Sequence, residues 1–435
     1  MSLTFSTQAV RRSMIRQSSE SPTISERMCP RVSERGTPYV EALMFEGISP
    51  HSLHGTCLRQ CLIKRPPRLA VISTGDETGA SIVVNIDGKN VVDLWGGYFD
   101  ETRTRKWEKD TIVDVFSTTK TITSLAALIL IDRGVISPYE KVGTYWPEFA
   151  VNGKQDIEIR HIISHTSGVP GWDKPVTLAD ICNFDKAVTL LAAQAPWWTP
   201  GTASGYHSFT HGFLIGEVIR KVTGTTLKDF IAKEIAAPLC ADFQLGVKKS
   251  DLHRVSDVIP WPDADSPSSS PPDLSSISAR VNNNPPFTPD MANTAMWRNA
   301  ELGASNGHGN ARSIAKILST ISLGGCVDGK CLLKPETIDL IFQQMSNGTD
   351  LVIDMPVRFG IGYGIRGEGV VPTWVPQGRI CFWSGLGGSV AIMDLDRRMT
   401  IAYAMNKLYH VGLGSNLSIE YVKEIYSVMG VSGLQ

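Results

Sequence analysis

The sequence has little excess charge of either sign. Its 435 residues carry 42 Lys and Arg against 43 Asp and Glu, a formal net charge of -1. A protein that holds nucleic acid needs a basic surface to meet the phosphates, and this chain has no dense run of basic residues. The composition therefore argues against nucleic acid as a partner and leaves small molecules as the ligands to consider.

Long apolar runs are missing as well. No stretch approaches the roughly 18 consecutive apolar residues that a membrane-spanning helix needs, and the N-terminus lacks the apolar core of a secretory signal. We therefore expect a soluble, cytoplasmic protein without a membrane span. The alternative is an organelle, because residues 1–19 contain Arg11, Arg12 and Arg16, several serines and no acidic residue, as transit peptides do.

Cysteine is too sparse to build a framework of disulfides. The eight cysteines are scattered over the whole chain, so reduced thiols are the simpler interpretation. Cys57 and Cys61 have no second close pair to complete a zinc site. Cys326 and Cys331 flank a four-residue turn typical of a hairpin tip. We expect neither a metal nor another cofactor.

The order of apolar patterns predicts a sheet whose strands come from both ends of a catalytic domain at 66–435. Residues 1–65 show no helical or strand period and are expected to form a poorly ordered extension. Strands are predicted at 81–86, 90–95, 113–116, 359–365, 379–382, 388–394 and 399–405. Helices are predicted from about 118 to 133 and at 157–165, 186–195, 209–223, 227–236, 311–323, 335–346 and 416–429. The proline-rich residues 260–290 are predicted to form a long surface loop that could border a cleft.

One short motif at the start of a predicted helix suggests a nucleophile. In Ser117-Thr118-Thr119-Lys120 the hydroxyl and the ammonium lie on one face of a helix, one turn apart, so the lysine can take the serine proton. For this it must be neutral part of the time, which burial favours. The motif is weak alone, and Ser313-Ile314-Ala315-Lys316 is a second copy. Ser117 is favoured because it follows a predicted strand, whereas Ser313 lies inside an amphipathic helix.

Two later elements could complete a site around Ser117. Tyr206-His207-Ser208 precedes a predicted helix, and its phenol could share the proton with Lys120, although a tyrosine near a loop is commonly structural. Trp383-Ser384-Gly385-Leu386 opens a glycine-rich segment in which the backbone can approach a substrate closely. The alternative interpretation of this segment is a tight turn.

Other patterns compete with this interpretation. Gly303-Ala304-Ser305-Asn306-Gly307 matches the Gly-x-Ser-x-Gly nucleophile elbow of α/β-hydrolases and makes Ser305 a rival nucleophile. An elbow requires a buried strand just before it, and residues 293–301 do not have the pattern of such a strand. His161 and His165, like His207 and His211, are four residues apart without the glutamate of a zinc protease. Packing or capping is the expected role of these histidines, and His308 is expected either to shape a local turn or to line the cleft.

The order and spacing of the three elements resemble those of the serine β-lactamase-like superfamily, in particular family VIII carboxylesterases and class C β-lactamases. The resemblance spans roughly residues 69–430. It also covers four further stretches: 91–97, 115–120, 161–168 and 306–312. It implies an α+β sandwich, a mainly antiparallel sheet flanked by helices, with a helical subdomain at roughly 140–310 inserted in it.

The resemblance also implies roles for the residues of the three elements. Ser117 would be the nucleophile, Lys120 and Tyr206 the general base pair, and the backbone N–H groups of Ser117 and Leu386 the oxyanion hole. Substrate binding would fall to Ser208 and to the segment Trp383-Ser384-Gly385.

Two departures from the β-lactamase pattern bear on the substrate. Trp383 stands where these enzymes usually have the Lys or His of Lys-Thr-Gly or His-Thr-Gly, so no cation is present there to attract a β-lactam carboxylate. Trp383 could instead form an apolar wall. Ser208 replaces the usual Asn. Both changes favour esters or thioesters.

Three functions remain open at the level of sequence. The first is hydrolysis of an ester or thioester through an acyl-enzyme on Ser117. The second is transfer of the acyl group to the alcohol of a small-molecule acceptor, such as a secondary metabolite, as the fungal statin-pathway acyltransferases of this superfamily do. The third is a non-catalytic scaffold, against which the intact Ser117, Lys120 and Tyr206 argue.

Overall fold

An eight-stranded antiparallel sheet is the frame on which the described part of the chain is built. The computed structural model describes residues 77–261, 275–409 and 412–434. The strands are β1 (Gly79–Ile86), β2 (Lys89–Gly97), β3 (Val113–Asp114), β4 (Gln244–Leu245), β5 (Gly307–Gly309), β6 (Cys326–Val327), β7 (Lys330–Cys331), β8 (Ser346–Thr349), β9 (Pro356–Phe359), β10 (Gly364–Ile365), β11 (Ile380–Ser384), β12 (Val390–Asp394) and β13 (Met399–Met405). The large sheet has the order β2-β1-β13-β12-β11-β10-β9-β8.

Most of the helices lie in the chain between β3 and the C-terminal strands. They are α1 (Thr119–Asp132), α2 (Val142–Tyr145), α3 (Ile159–Ile163), α4 (Leu178–Ile181), α5 (Phe184–Ala193), α6 (Thr210–Thr223), α7 (Leu227–Phe230), α8 (Ile277–Asn282), α9 (Ala295–Asn299), α10 (Ala311–Ser322), α11 (Pro335–Ile341) and α12 (Asn416–Val428). A π-helical stretch, Ile231–Ala236, continues α7. The boundaries of the inserted helical subdomain stay a prediction.

The sheet joins the two ends of the described chain, as predicted. The turn between β1 and β2 places Asp87 and Gly88 at positive φ, the backbone of a tight hairpin that matches the twist of its strands. β1 then pairs along its length with β13, from Ala80 opposite Met405 to Ile86 opposite Met399. Strands β11, β12 and β13 are buried at every position, which accounts for their nearly continuous apolar sequences.

Several expectations need correction. The strand predicted at 359–365 is two short strands, β9 and β10, which pair with each other across a turn. The predicted loop at 260–290 contains α8, because Ser276 caps a short amphipathic turn there; residues 262–274 lie outside the described part. Cys326 and Cys331 do form the predicted hairpin tip, but they are bonded to each other rather than reduced, since they lie directly opposite in β6 and β7.

Some expectations fall outside these residues. The N-terminal extension at 1–65 and the cysteines Cys29, Cys57 and Cys61 lie before the first described residue. Within the described ranges, no helix combines the length and the apolar character that crossing a membrane requires.

One buried side chain ties the first strand to the last. Asn406, which is 0 % exposed, accepts a hydrogen bond from the Gly79 N–H at 2.9 Å. Its amide group donates to the Tyr98 carbonyl at 2.9 Å and to the Ser256 hydroxyl at 3.0 Å. Removal of the amide takes this partner from the Gly79 N–H and from the Tyr98 carbonyl, whereas the Ser256 hydroxyl keeps its bond to the Phe99 carbonyl at 2.7 Å.

We expect Asn406→Ala to lower the free energy of unfolding by about 2–3 kcal/mol, the usual effect of leaving buried polar groups unsatisfied. Asn347→Ala, at an exposed position of β8, is the matched control and should change it by less than about 0.5 kcal/mol. Urea unfolding followed by tryptophan fluorescence measures both. Equal stability of the two variants would contradict the role given to Asn406.

Candidate active site

Ser117 lies at a strand-to-helix junction, as predicted. The chain leaves β3 at Asp114, turns at Phe116 and enters a 3₁₀ turn that runs into α1. Phe116 has φ +43°, a conformation that costs a non-glycine residue on the order of 1–2 kcal/mol. The Phe116 N–H donates to Asp114 Oδ1 at 2.7 Å, and the Trp297 indole N–H donates to Asp114 Oδ2 at 2.5 Å. Burial raises the pKa of Asp114 to about 8. Asp114 thus holds the strained turn that presents Ser117.

Lys120 is buried next to the serine. Its Nζ lies 3.1 Å from Ser117 Oγ, 2.7 Å from the Ser208 carbonyl oxygen and 2.9 Å from the Ala304 carbonyl oxygen. The residue is 2 % exposed, and burial lowers the pKa of its ammonium well below the ordinary 10.5. No carboxylate of the described ranges opposes this shift, so the site favours a neutral amine.

Tyr206 completes the group on the other side of Lys120. Lys120 Nζ lies 4.6 Å from the centre of the Tyr206 ring, and the Trp383 indole N–H donates to the Tyr206 hydroxyl at 3.0 Å. Burial raises the pKa of Tyr206 above 10, while hydrogen bonds with Ser117 and Trp383 lower it in part. Tyr206 is therefore a neutral phenol at pH 7. Trp383 is more than the apolar wall expected from the sequence, since it also supplies a donor.

The segment after β11 approaches the nucleophile closely. A Cβ on Gly385 would meet the Val115 carbonyl oxygen at 2.2 Å and the Ser117 nitrogen at 3.2 Å, so a side chain cannot be accommodated there. The Ser389 hydroxyl donates to the Val115 carbonyl at 2.8 Å, and its oxygen lies 2.9 Å from Thr118 Oγ1. These bonds hold the Ser117 and Leu386 segments together. The oxyanion hole itself stays a prediction.

All the predicted site residues except Lys120 line one cavity of about 910 Å³. Ser117, Tyr206, Ser208, Trp383, Ser384, Gly385 and Leu386 all face it, with Lys120 behind them. Its other described walls come from Phe116, Phe209, Trp261, Ser278, Val281, Asn282, Phe287, Pro289, Trp297, Ser305, Val352, Ile353, Asp354, Met355, Gly412 and Leu413. The proline-rich region thus does border the cleft, through residues on both sides of 262–274.

The two rival serines lie in different surroundings. Ser305 also faces the cavity, but α9 rather than a strand precedes it and the short β5 follows, so the strand–turn–helix context of a nucleophile elbow is missing. Its neighbour Ala304 serves Lys120 through the carbonyl. Ser313 caps α10 together with Asn310, and Lys316 pairs with Asp328 instead of Ser313.

The predicted packing roles of the histidines apply to some of them. His161 accepts a hydrogen bond from the Glu158 N–H at the start of α3. His308 lies fully buried in β5 with Nδ1 2.8 Å from the Asn306 carbonyl oxygen, away from the residues that line the cavity.

Three histidines form a buried cluster that the sequence did not reveal. The His165 ring centre lies 4.9 Å from those of Tyr206 and His211 and 5.3 Å from that of His207. Burial lowers the pKa of all three, that of His207 to about 3. They are therefore neutral neighbours of Lys120 and add no positive charge. The one sequence signal for this cluster was that His207 directly follows Tyr206 in the chain.

Asp350 is a second residue that the sequence did not single out. Its carboxylate is 1 % exposed, and one oxygen accepts from the backbone N–H groups of Tyr206, Val352 and Ile353 at 2.9, 2.9 and 3.1 Å. One carboxylate thus joins the backbone of Tyr206 to a wall of the cavity. An aspartate between β8 and β9 gives no local sign of such a role.

Comparison with known proteins places this arrangement among relatives. The beta-lactamase family model matches residues 69–418. Esterase/beta-lactamase LipL of Mycobacterium tuberculosis (strain ATCC 25618 / H37Rv) is 30 % identical over 340 residues, which is 76 % of this chain and 77 % of that protein.

Solved structures agree over an even larger share of the chain. A family VIII carboxylesterase has a TM-score of 0.79 at 32 % identity, covering 88 % of this chain and 100 % of its own. A penicillin-binding protein homologue from Caulobacter crescentus has a TM-score of 0.77 at 29 % identity, with the same coverage. The antiparallel sheet flanked by helices is therefore the fold of these proteins, as the resemblance implied. Since one family model spans most of the sequence and full-length relatives share its fold, the chain belongs to the beta-lactamase family and is an enzyme of the serine-hydrolase type.

Proposed function

We propose that the protein hydrolyses an ester or thioester through an acyl-enzyme on Ser117. The observation that carries this is the contact between a buried lysine and the serine: Lys120 Nζ is 3.1 Å from Ser117 Oγ. A neutral amine has two N–H groups and one lone pair. The carbonyls of Ser208 and Ala304 can only accept, so they take the two N–H groups. The lone pair is left to receive the serine proton.

The remaining residues supply the other parts of an acyl transfer. As Ser117 Oγ attacks the carbonyl carbon, negative charge forms on the carbonyl oxygen, and the backbone N–H groups of Ser117 and Leu386 would stabilise it. Tyr206, a neutral phenol beside Lys120, can pass a proton to the departing alcohol or thiol. Water then attacks the acyl-enzyme, and the same groups run in reverse.

The third element favours esters over β-lactams. A β-lactam carboxylate is bound through a cation, and here the equivalent position is Trp383, whose indole N–H is directed at Tyr206 instead. Relatives bear both names, since LipL is described as an esterase/beta-lactamase and a structural neighbour as a family VIII carboxylesterase. The absence of a cation at Trp383 is what supports the ester.

Replacing the proposed nucleophile gives the first test. We expect Ser117→Ala to abolish turnover of p-nitrophenyl acetate and butyrate, because Ser117 is the one hydroxyl among the described residues that hydrogen-bonds Lys120. Intact mass should show an acyl adduct on the wild type and none on the variant. Ser305→Ala and Ser313→Ala are the matched controls and should still be acylated. A dead Ser305→Ala beside an active Ser117→Ala would contradict the assignment. Adding short alcohols and analysing the products separates hydrolysis from acyl transfer.

The dependence of acylation on pH tests Lys120. Its lone pair becomes available as pH rises through its pKa, which burial places well below 10.5. We expect the rate of acylation by p-nitrophenyl acetate, followed by stopped flow, to rise with pH through one ionisation below that value. Lys120→Arg keeps its charge and should be inactive at every pH. An active arginine variant would exclude Lys120 as the base.

Trp383 is tested by a substitution that removes its N–H group and keeps an aromatic ring. Trp383→Phe keeps a ring in place but loses the donor to Tyr206, so kcat should fall about tenfold, the effect of one lost hydrogen bond of roughly 1.4 kcal/mol, with little change in KM. Trp383→His retains an N–H group and should recover part of kcat. Full activity in the phenylalanine variant would show that the bond has no role in the reaction.

A further inference from the structure

Six of the seven aromatic rings from described residues that line the cavity fall into two groups, and the seventh is that of Trp261. Phe116, Phe209, Phe287 and Trp297 form one, which we call the aromatic wall. Its ring centres lie 5.1 Å apart for Phe287 and Trp297, and 5.8 Å and 6.3 Å from Phe287 to Phe209 and Phe116. The second group contains Tyr206 and Trp383, 5.1 Å apart. Among the described residues, no ring contact joins the two groups.

The two groups of rings can be matched to the two parts of an ester, the departing alcohol and the acyl group. The departing alcohol must lie where it can receive a proton, which is beside Tyr206 and Lys120. The acyl group stays bonded to Ser117 Oγ. Phe116 immediately precedes Ser117 in the chain, and its ring contacts Phe287 and Trp297. The aromatic wall therefore begins at the residue next to the point where the acyl group would be attached.

The aromatic wall is held in place before any substrate arrives. The Trp297 indole N–H and the Phe116 backbone N–H both donate to the carboxyl group of Asp114. Trp297 is 0 % exposed, and the ring planes of Phe116 and Phe209 meet that of Phe287 at 77° and 70°. Rings fixed edge to face leave further faces and edges for another ring, whereas a saturated group gains only apolar burial.

The charge of the cavity adds a second condition. Of the described residues that line it, Asp354 is the one acidic residue, and neither lysine, arginine nor histidine is among them. Lys120 lies behind the lining, and burial lowers the pKa of its ammonium. A carboxylate on the acyl arm would thus lose its hydration without finding a cation.

We propose that the substrate is an ester or thioester of an uncharged arylalkyl carboxylic acid, whose ring packs against the aromatic wall. This inference rests on the acyl-enzyme proposed above. It makes Phe287 a specificity-determining residue, since its partly exposed ring contacts the three other members of the wall.

Matched p-nitrophenyl esters test the proposal while the alcohol stays constant. The phenylacetate and the cyclohexylacetate have the same carbon skeleton and differ only in the aromaticity of the ring. After each kcat/KM is divided by the ester's own rate of alkaline hydrolysis, we expect the phenylacetate to be preferred about two- to tenfold. The hydrogen succinate ester should be turned over at least tenfold more slowly than the butyrate, because it adds a carboxylate.

Variants locate the preference on the aromatic wall. Phe287→Leu should bring the ratio of phenylacetate to cyclohexylacetate close to one. Met355→Leu, which changes a non-aromatic side chain of the same cavity, should keep the wild-type ratio. Equal turnover of the two esters by the wild type, or an unchanged ratio in Phe287→Leu, would overturn the proposal. In either case activity that Ser117→Ala abolishes would leave the acyl-enzyme mechanism standing, whereas activity that survives Ser117→Ala would refute both.

Discussion

Burial of the Lys120 amine is the constraint on which the site depends. An ammonium in a dry pocket needs acceptors on every N–H group, and here the oxygens near it come from residues 3, 88 and 184 positions away in the chain. The 3₁₀ turn before α1 supplies one, the segment before α6 another, and the segment before β5 the third. The fold therefore has to bring three distant segments to a single nitrogen atom. Because no carboxylate is among them, the same groups that satisfy the amine do not offset the lowering of its pKa by burial.

The other buried groups around Lys120 are uncharged as well. His165, His207 and His211 are buried and neutral, Tyr206 is an undissociated phenol, and the third element offers an indole N–H in place of a cation. In the proposed reaction, a proton moves between Ser117, Lys120, Tyr206 and the substrate. The buried histidines beside this path do not compete for the proton, because their pKa values are lowered. Such a site would suit the proposed ester substrate when neither its acyl nor its alcohol part carries a charge on binding.

Sequence reasoning succeeded where the signal was local. The strands predicted at 81–86 and 90–95 are β1 and β2, and the predicted strand and helix on either side of Ser117 are β3 and α1. The order of the apolar patterns predicted one sheet with strands from both ends of the domain, which the structure has. It failed where the decisive partner lies far along the chain. Asp350 contacts Tyr206 across 144 residues, and nothing in its neighbours reveals that. The histidine cluster was missed for the same reason, and the helix α8 was hidden by the prolines around it.

The pairing of β1 with β13 also governs when the enzyme can become active during its synthesis. Gly79 and Asn406, which hydrogen-bond each other, are 327 residues apart, so β1 leaves the ribosome long before its central partner exists. Until then β1 and β2 form only a two-stranded hairpin, which is marginally stable alone. The segment after β11 that closes over Ser117 belongs to the same late part of the chain. The nascent protein therefore contains Ser117 and Lys120 before the cavity around them is enclosed. The cavity is completed only when the last strands have been added.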